Sequence, residues 1–324
     1  MNYQERIVRL DSLEASLAGE TKRLHDLIIS CKISPSKFLR LRTATQELIS
    51  AACHFPLLRY DENEFIDSLN RGRSDLLNIT PNGAVTPKRE YLLQYNYFLF
   101  SWFDILGDLF NAKDSPLGKI RLTPNLRIKF GKELDENIGR VLNTSLPHSD
   151  AWLEGPYSFN CHVPIMGDCL GNYLKFYEPI DPLSFREDFL LNSASYEDMQ
   201  WVVEFYKSMD KRALQGWINI SDYALIHKTE RMENCGTRIS IDTTVTMLDY
   251  PVHPDRECEY HNKIPAIGSE IYAFSARSEC DGQVHEKPTV FSHYTTCLLY
   301  TSPSPRDQRG SRMAGSAWKK KGGG

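Results

Sequence analysis

Apolar residues recur at three- and four-residue spacings between positions 4 and 30, at Ile7, Leu10, Leu13, Leu17, Leu24, Leu27 and Ile28, which predicts an amphipathic helix or a helix pair. A second helix is predicted from Ser34-Pro35-Ser36, with Ser34 as N-cap and Pro35 in the first turn, through Leu41 and Leu48 towards His54. A third begins at Thr86-Pro87 and carries Tyr91, Leu92, Tyr95, Phe98, Trp102, Ile105 and Leu109. Its aromatic stripe is expected to cover a sheet. Between the second and third helices, Asn70 to Lys88 is rich in Gly, Pro, Asn and Arg and reads as loop.

From about Ile120 the period drops to two. Ile120-Arg121-Leu122, Leu126 to Phe130, and parts of Phe159 to Ile165, Tyr173 to Tyr177, Trp217 to Ile220 and Thr237 to Met247 alternate apolar with polar residues. Short strands separated by Pro and Gly predict a mainly β chain whose antiparallel strands form a two-sheet roll behind a helical N-terminal region. One more helix is predicted over Tyr196 to Met209, and no internal repeat is visible. The expected division is 1–115 helical region, 116–250 β core, 251–296 C-terminal extension and 297–324 tail.

The tail changes the composition. Cys297 to Asp307 resembles a translated sequencing adapter, since one permitted back-translation resembles the transposase end and read primer of a tagmentation library. Gln308 to Trp318 fits an index and flow-cell adapter, and Lys319 to Gly324 fits poly-A and poly-G readout. The alternative is a disordered basic tail. On the first reading the natural chain is expected to continue past Thr296. Removing the tail's six basic residues and one acidic residue takes the basic and acidic counts from 38 and 42 to 32 and 41, and the net charge from −4 to −9. That balance argues against a nucleic-acid partner. The seven cysteines before the tail are scattered, without a Cys-x-x-Cys pair, and read as reduced thiols. Met1 to Arg6 has no apolar signal core, and the apolar stretch Tyr91 to Phe110 is interrupted by Gln94, Asn96, Asp104 and Asp108. No membrane span and a cytoplasmic location are expected.

Chemistry concentrates in a few side chains. His148 and Asp150 stand two apart in Pro147-His148-Ser149-Asp150-Ala151-Trp152, and in a strand they would face one side. A pair of this kind can also be a polar strand end or turn. His227 follows a strand-like run and reads either as a third ligand or as a hydrogen-bonded structural residue. Two imidazoles and one carboxylate on one side of a metal leave the opposite positions open, the donor set of non-heme Fe(II) oxygenases. Arg238 and Ser240 share a face in Thr237-Arg238-Ile239-Ser240-Ile241. A guanidinium matches a carboxylate at two points and a hydroxyl adds a third bond, chemistry suited to the far carboxylate of 2-oxoglutarate. The other reading is a surface Arg on an edge strand. His162 is a rival third ligand, while His253, His261, His285 and His293, with Cys258 and Cys280, lack zinc-site spacing and read as solvated loops. Trp152 and Tyr157 read either as stacking surfaces for a substrate ring or as packing.

The order His-x-Asp, distal His, Arg-x-Ser over residues 120 to 250 resembles the Fe(II)/2-oxoglutarate-dependent dioxygenase superfamily. More narrowly, Leu126-Arg127, Pro147 to Trp152, Pro164 and Gly171-Asn172 are similar to oxygenases of carbohydrate and aminoglycoside biosynthetic clusters. The resemblance implies a double-stranded β-helix (jelly roll), iron held by His148, Asp150 and His227, and 2-oxoglutarate anchored by Arg238 and Ser240. Asn160, Asn172 and Lys175 are candidates for its second contact. O2 and a small-molecule substrate are the implied partners, with hydroxylation as the reaction. His-Lys-Thr at 227–229 and the insertion from Asp181 to Lys211 depart from the family pattern. Two other classes stay open: a metal-dependent jelly-roll sugar isomerase or epimerase, and a carbohydrate-binding roll without a metal.

Overall fold

The computed structural model describes residues 1–54, 61–72, 76–80, 82–87, 91–110, 116–131, 144–193, 195–248, 252 and 260–261. Helix α1 (Tyr3–Ser16) opens on a capping box: the Asn2 side chain accepts from the Glu5 N–H, and the Glu5 carboxylate accepts from the Asn2 N–H. The predicted helix over residues 4 to 30 ends there. Gly19 takes a positive φ of 92°, and β1 (Thr21–His25) and β2 (Ile28–Lys32) form an antiparallel hairpin. Leu27, Ile28 and Ile29 do not alternate with polar residues because both faces of β2 are covered; such a run is ambiguous between helix and strand.

Helices α2 (Pro35–Ala52), α3 (Glu62–Arg71) and α4 (Leu92–Phe110) follow. Ser34 is the N-cap residue of α2, although its side chain makes no capping bond, and Pro35 begins the helix as expected. Then come β3 (Leu117–Arg121), β4 (Asn125–Lys129), the single turn α5 (Ala151–Glu154), β5 (Ser158–Gly167) and β6 (Asn172–Pro179). Residues 182–199 contain three 3-10 turns, and the helix expected over Tyr196 to Met209 shrinks to α6 (Gln200–Val203). The chain leaves that helix early because Tyr206 to Ser208 pairs with β6 as β7. Strands β8 (Trp217–Asp222), β9 (His227–Arg231), β10 (Arg238–Met247) and the two-residue β11 (Tyr260–His261) complete the described elements.

All strand pairings are antiparallel and form two sheets. The larger runs β1-β2-β8-β5-β10-β3-β11, with β4 lying beside β3 along the same edge of β10; the smaller runs β7-β6-β9. One face of the larger sheet belongs to the helices. Ile29, Cys31, Ile218, Ile220, Cys161, Val163, Ile239 and Ile241 pack in one cluster with Leu41, Leu48, Phe98, Trp102 and Leu106, so the aromatic helix covers a sheet as its stripe predicts. The opposite face is polar. Asn219, Ser221, Asn160, His162, Arg238, Ser240, Asp242 and Thr244 alternate with those apolar residues and face inward.

Two contacts tie the inward face to the rest. Gly167, at the end of β5 opposite Arg238, has a φ of +82°, and a Cβ there would sit 2.1 Å from the Thr237 carbonyl oxygen, so only glycine closes this turn. Asp222, at the end of β8, is fully buried and accepts from the Arg6 guanidinium at 2.7 and 2.8 Å and from the Ala224 N–H at 3.0 Å. That carboxylate links α1 to the loop that leads into β9. Removing one partner of a buried pair leaves the other charge without compensation. Arg6→Ala is therefore expected to lower unfolding stability by about 3–5 kcal/mol, read as a fall in the denaturant midpoint.

Candidate metal centre

His148, Asp150 and His227 converge, with one potential ligand atom from each lying within 4.8 Å of the others. The backbone brings the imidazoles together. The His148 N–H donates to the His227 carbonyl at 2.9 Å and the His227 N–H donates back at 2.8 Å, an antiparallel bridge that adds His148 to the edge of β9. Residues paired directly in this way project to the same side. Their ring centroids are 4.5 Å apart.

The strand expected over His148 to Asp150 is absent. After the bridge the chain turns: Asp150 is helical, with φ −62° and ψ −25°, and caps α5. The Ser149 hydroxyl accepts from the Ala151 N–H, while the Asp150 carbonyl accepts from the N–H groups of Leu153 and Glu154. Asp150 reaches the imidazoles through this turn rather than by strand alternation. Its Oδ2 lies 3.8 Å from His227 Nε2.

Hydrogen bonds also set the tautomers. His148 Nδ1 lies 2.8 Å from the Leu146 carbonyl and His227 Nδ1 lies 3.0 Å from the Leu225 carbonyl. A carbonyl only accepts, so each Nδ1 carries a hydrogen, and in a neutral ring that leaves the Nε2 lone pair for a metal. Burial first, and then the neighbouring His227, hold the His148 pKa well below the ordinary imidazole range, so this ring is neutral at physiological pH. Two imidazoles and a carboxylate suit a divalent first-row transition ion.

Residues of the 181–211 insertion pack behind the ligands. The Tyr196 ring stacks on His148 at a centroid distance of 4.2 Å, and its hydroxyl lies 3.5 Å from Asp150 Oδ1, the outer limit of a hydrogen bond. Burial, reinforced by Asp150, raises the Tyr196 pKa well above its ordinary value and keeps the hydroxyl a donor. Gln200 Nε2 donates to the carbonyls of Pro147 and Tyr196, each at 2.9 Å. Trp152 is fully buried among Phe189, Tyr196, Met199, Val202 and Ile226, with its indole N–H on the Phe189 carbonyl at 2.8 Å. It is packing and not a stacking surface. Tyr157 is 36% exposed. Tyr196 and Gln200 escape sequence reasoning because nothing in their spacing marks a metal site.

Arg238 and Ser240 share the inward face of β10, 2% and 1% exposed. Arg238 is no edge-strand residue, because β5 pairs on one side of it and β4 on the other. Its Nε and Nη1 have no partner among the described residues, and burial pushes its pKa down to about 10, which leaves it cationic at neutral pH. The nearby carboxylate of Asp242 is engaged elsewhere. It accepts from Arg127 Nε at 2.9 Å and Asn125 Nδ2 at 2.7 Å, and although burial raises its pKa, those groups hold it below the ordinary range.

The remaining candidates separate. Asn160 faces inward on β5 with its Oδ1 unpartnered. Asn172 is held at the start of β6, where Nδ2 donates to the carbonyls of Lys129 and Gly236. Lys175 pairs across the strands with Lys228 while Phe176 pairs with His227, so Lys175 projects from the other face; its ammonium lies 3.5 Å from Glu230. The structure does not bring it to the cluster. His162 is not among the three converging ligands. It lies on the inward face between Asn219 and Asp242, 5% exposed, with both ring nitrogens unpartnered. His253, His285, His293, Cys258 and Cys280 lie outside the described residues, as does the His261 side chain.

No protein-family model and no curated protein matches the chain. Among solved structures it is similar to the non-heme α-ketoglutarate-dependent carbocyclase SnoK from nogalamycin biosynthesis, at 10% identity over 78% of this chain and 86% of that one, with a TM-score of 0.39. It is also similar to the α-ketoglutarate-dependent epimerase SnoN of the same biosynthesis (9% identity, 75% and 84% covered, TM-score 0.35). A third is an N-substituted L-amino acid dioxygenase from Burkholderia ambifaria AMMD (13% identity, 75% and 91% covered, TM-score 0.35). Likeness this loose assigns no chemistry to the chain.

Two measurements follow from the geometry. Asp150→Ala removes the only anionic ligand of the three and is expected to weaken Co(II) binding, followed by calorimetric titration, by more than about 100-fold, beyond the loss typical of an outer partner. For His162, burial and then Arg238 lower the pKa from 6.5 to about 3. The unfolded chain takes up this proton first as pH falls, so the neutral ring's contribution is intact above pH 6.5 and is lost towards pH 3. Unfolding curves of His162→Gln are expected to show a shallower loss of stability below pH 6.5 than wild type, by up to about 1.4 kcal/mol per pH unit.

Proposed function

We propose that this chain is an Fe(II)- and 2-oxoglutarate-dependent oxygenase that hydroxylates a polar small molecule, carbohydrates included. The observation that carries the reading is that the chain holds both a three-ligand cluster and a buried, cationic guanidinium whose Nε and Nη1 have no partner among the described residues. A buried charge without a partner is costly, and a dicarboxylate cosubstrate would remove that cost. An isomerase, or a binding roll without a metal, has no use for such an anchor. The two antiparallel sheets enclosing the polar face are read as a double-stranded β-helix. The five described cysteines are all free, which favours a reducing compartment such as the cytoplasm.

His148, Asp150 and His227 would hold the iron through two Nε2 atoms and a carboxylate oxygen. When bound, iron and 2-oxoglutarate supply the oxidation, in which O2, 2-oxoglutarate and a C–H bond become succinate, carbon dioxide and an alcohol. The Arg238 fork and the Ser240 hydroxyl would grip the far carboxylate, and Asn160 is a candidate for a second contact. Asn172, whose Nδ2 is used, keeps an Oδ1 without a partner among the described residues and stays a candidate too, while Lys175 pairs with Glu230. The Leu146 and Leu225 carbonyls select the Nδ1–H tautomer, so that each ring in its neutral form would offer Nε2 to the ion. His162 on β5, next to Arg238's strand, and Asn219 on β8, one strand further out, have free polar atoms that offer hydrogen bonds to an uncharged polar substrate. Asp150 fills the position that halogen transfer would need vacated.

Anaerobic titration of the iron-loaded protein with 2-oxoglutarate is expected to produce a weak visible charge-transfer band, and exposure to air is expected to release succinate. Arg238→Met should raise the 2-oxoglutarate concentration needed for half the band by about 10- to 100-fold, the worth of a charge-assisted bond, while iron binding is retained. Absence of both the band and succinate from the wild-type protein would refute the oxygenase reading.

A further inference from the structure

We propose, on the reading that His148, Asp150 and His227 hold a metal ion, that Tyr196 is a positioning residue that makes Asp150 a one-oxygen ligand. Its hydroxyl engages Oδ1, which leaves Oδ2 alone to face the ion. The two carboxylate oxygens already differ: Oδ2 lies 3.8 Å from His227 Nε2, whereas Oδ1 lies 3.5 Å from the Tyr196 hydroxyl. Among the described residues no other side chain donates to this carboxylate. An ionised carboxylate next to a cation can bind through one oxygen or chelate through both, and a donor on the second oxygen favours the first mode. Tyr196 is that donor.

The phenol is held in place from three sides. Its ring lies over His148, with centroids 4.2 Å apart. Trp152 packs beside it at 6.4 Å. Gln200 joins the Tyr196 carbonyl to the Pro147 carbonyl through a single amide nitrogen, which couples the insertion to the residue before the first ligand. With Tyr196 only 3% exposed, water cannot readily replace the hydroxyl. A chelating Asp150 would occupy one more coordination position, and that position is one the cosubstrate or O2 requires. The insertion thus preserves the open side of the ion, in addition to covering the sheet.

The test uses Mn(II) as the probe and water-proton relaxation as the readout, so it does not depend on turnover. Tyr196→Phe keeps the ring and removes the hydroxyl. Its affinity for Mn(II) is expected to stay within about threefold of wild type, while relaxation enhancement per bound ion falls by about a third as one of the open positions of a near-octahedral ion is closed. Unchanged relaxation per bound ion would overturn the proposal, as would loss of Mn(II) binding from a folded Tyr196→Phe protein, which would mark a packing role. Should Tyr196→Phe fail to fold, Gln200→Leu frees the backbone of Tyr196 without altering its ring or hydroxyl, and the same fall is expected. Failure of the wild-type protein to bind Mn(II) would instead remove the metal reading itself.

Discussion

Two reciprocal backbone hydrogen bonds between His148 and His227 decide what this molecule can do. They are ordinary ladder bonds, 2.9 and 2.8 Å long, yet they join a short bridge to the first residue of β9 and so set two imidazoles side by side. Everything near them serves the same placement. The Leu146 and Leu225 carbonyls orient the rings, Asp222 shapes the turn before Leu225, and Arg6 reaches from α1 to neutralise Asp222. The ligand geometry therefore depends on contacts as distant in sequence as the first helix.

The larger sheet explains why a polar site can survive inside the protein. Its outward face is covered by α2 and α4 and supplies the hydrophobic stabilisation, at about 25 cal/mol for each Å² of apolar surface removed from water. Its inward face can then carry His162, Asn160, Asn219 and Arg238, whose unpartnered atoms each cost about 1–3 kcal/mol when nothing meets them. Such a concentration of unmet polar groups on one face needs partners from outside the chain, which ordered water or a polar ligand would supply. The Arg127–Asp242–Asn125 group, placed among them, is satisfied internally and reads as framework.

The sequence showed this division where alternation was clean and hid it elsewhere. In β10, Arg238 and Ser240 against Ile239 and Ile241 gave the two faces directly, since one face meets helices and the other a polar interior. In β2 the same rule failed, because Ile28 and Ile29 are both buried, one towards each side, and the run imitates a helix. His148 and Asp150 were legible as a ligand pair for a reason that does not hold: strand parity would align them, but the chain turns after the bridge and a helical Asp150 arrives by another route. Composition could not reveal Tyr196 or Gln200, whose roles arise only from where the insertion folds back. Lys175 shows the opposite failure, since proximity in sequence to the right strand says nothing about which face it takes.

The insertion also differs from the main body in how it is stabilised. Apart from the three-residue β7, its described elements are 3-10 turns and a single short helix, structures whose hydrogen bonds are poorer than those of long helices or wide sheets. It builds its own small core instead, where Trp152, Phe189, Tyr196, Met199, Val202 and Ile226 form a cluster separate from the main one. Phe189 packs against Trp201 and Phe205, and the Arg186 guanidinium lies within 6 Å of all three rings. A satellite core of this kind can loosen without unfolding the sheet-and-helix body, since local openings draw on local contacts. The turn before β9 is tied to the main body through Leu225, which packs with Leu27 and Ile28, whereas the side chain that meets Asp150 and covers His148 belongs to the satellite. The contact on the free oxygen of Asp150 thus comes from a cluster outside the main core, where a substitution acts on the orientation of the carboxylate before it acts on the sheet-and-helix body.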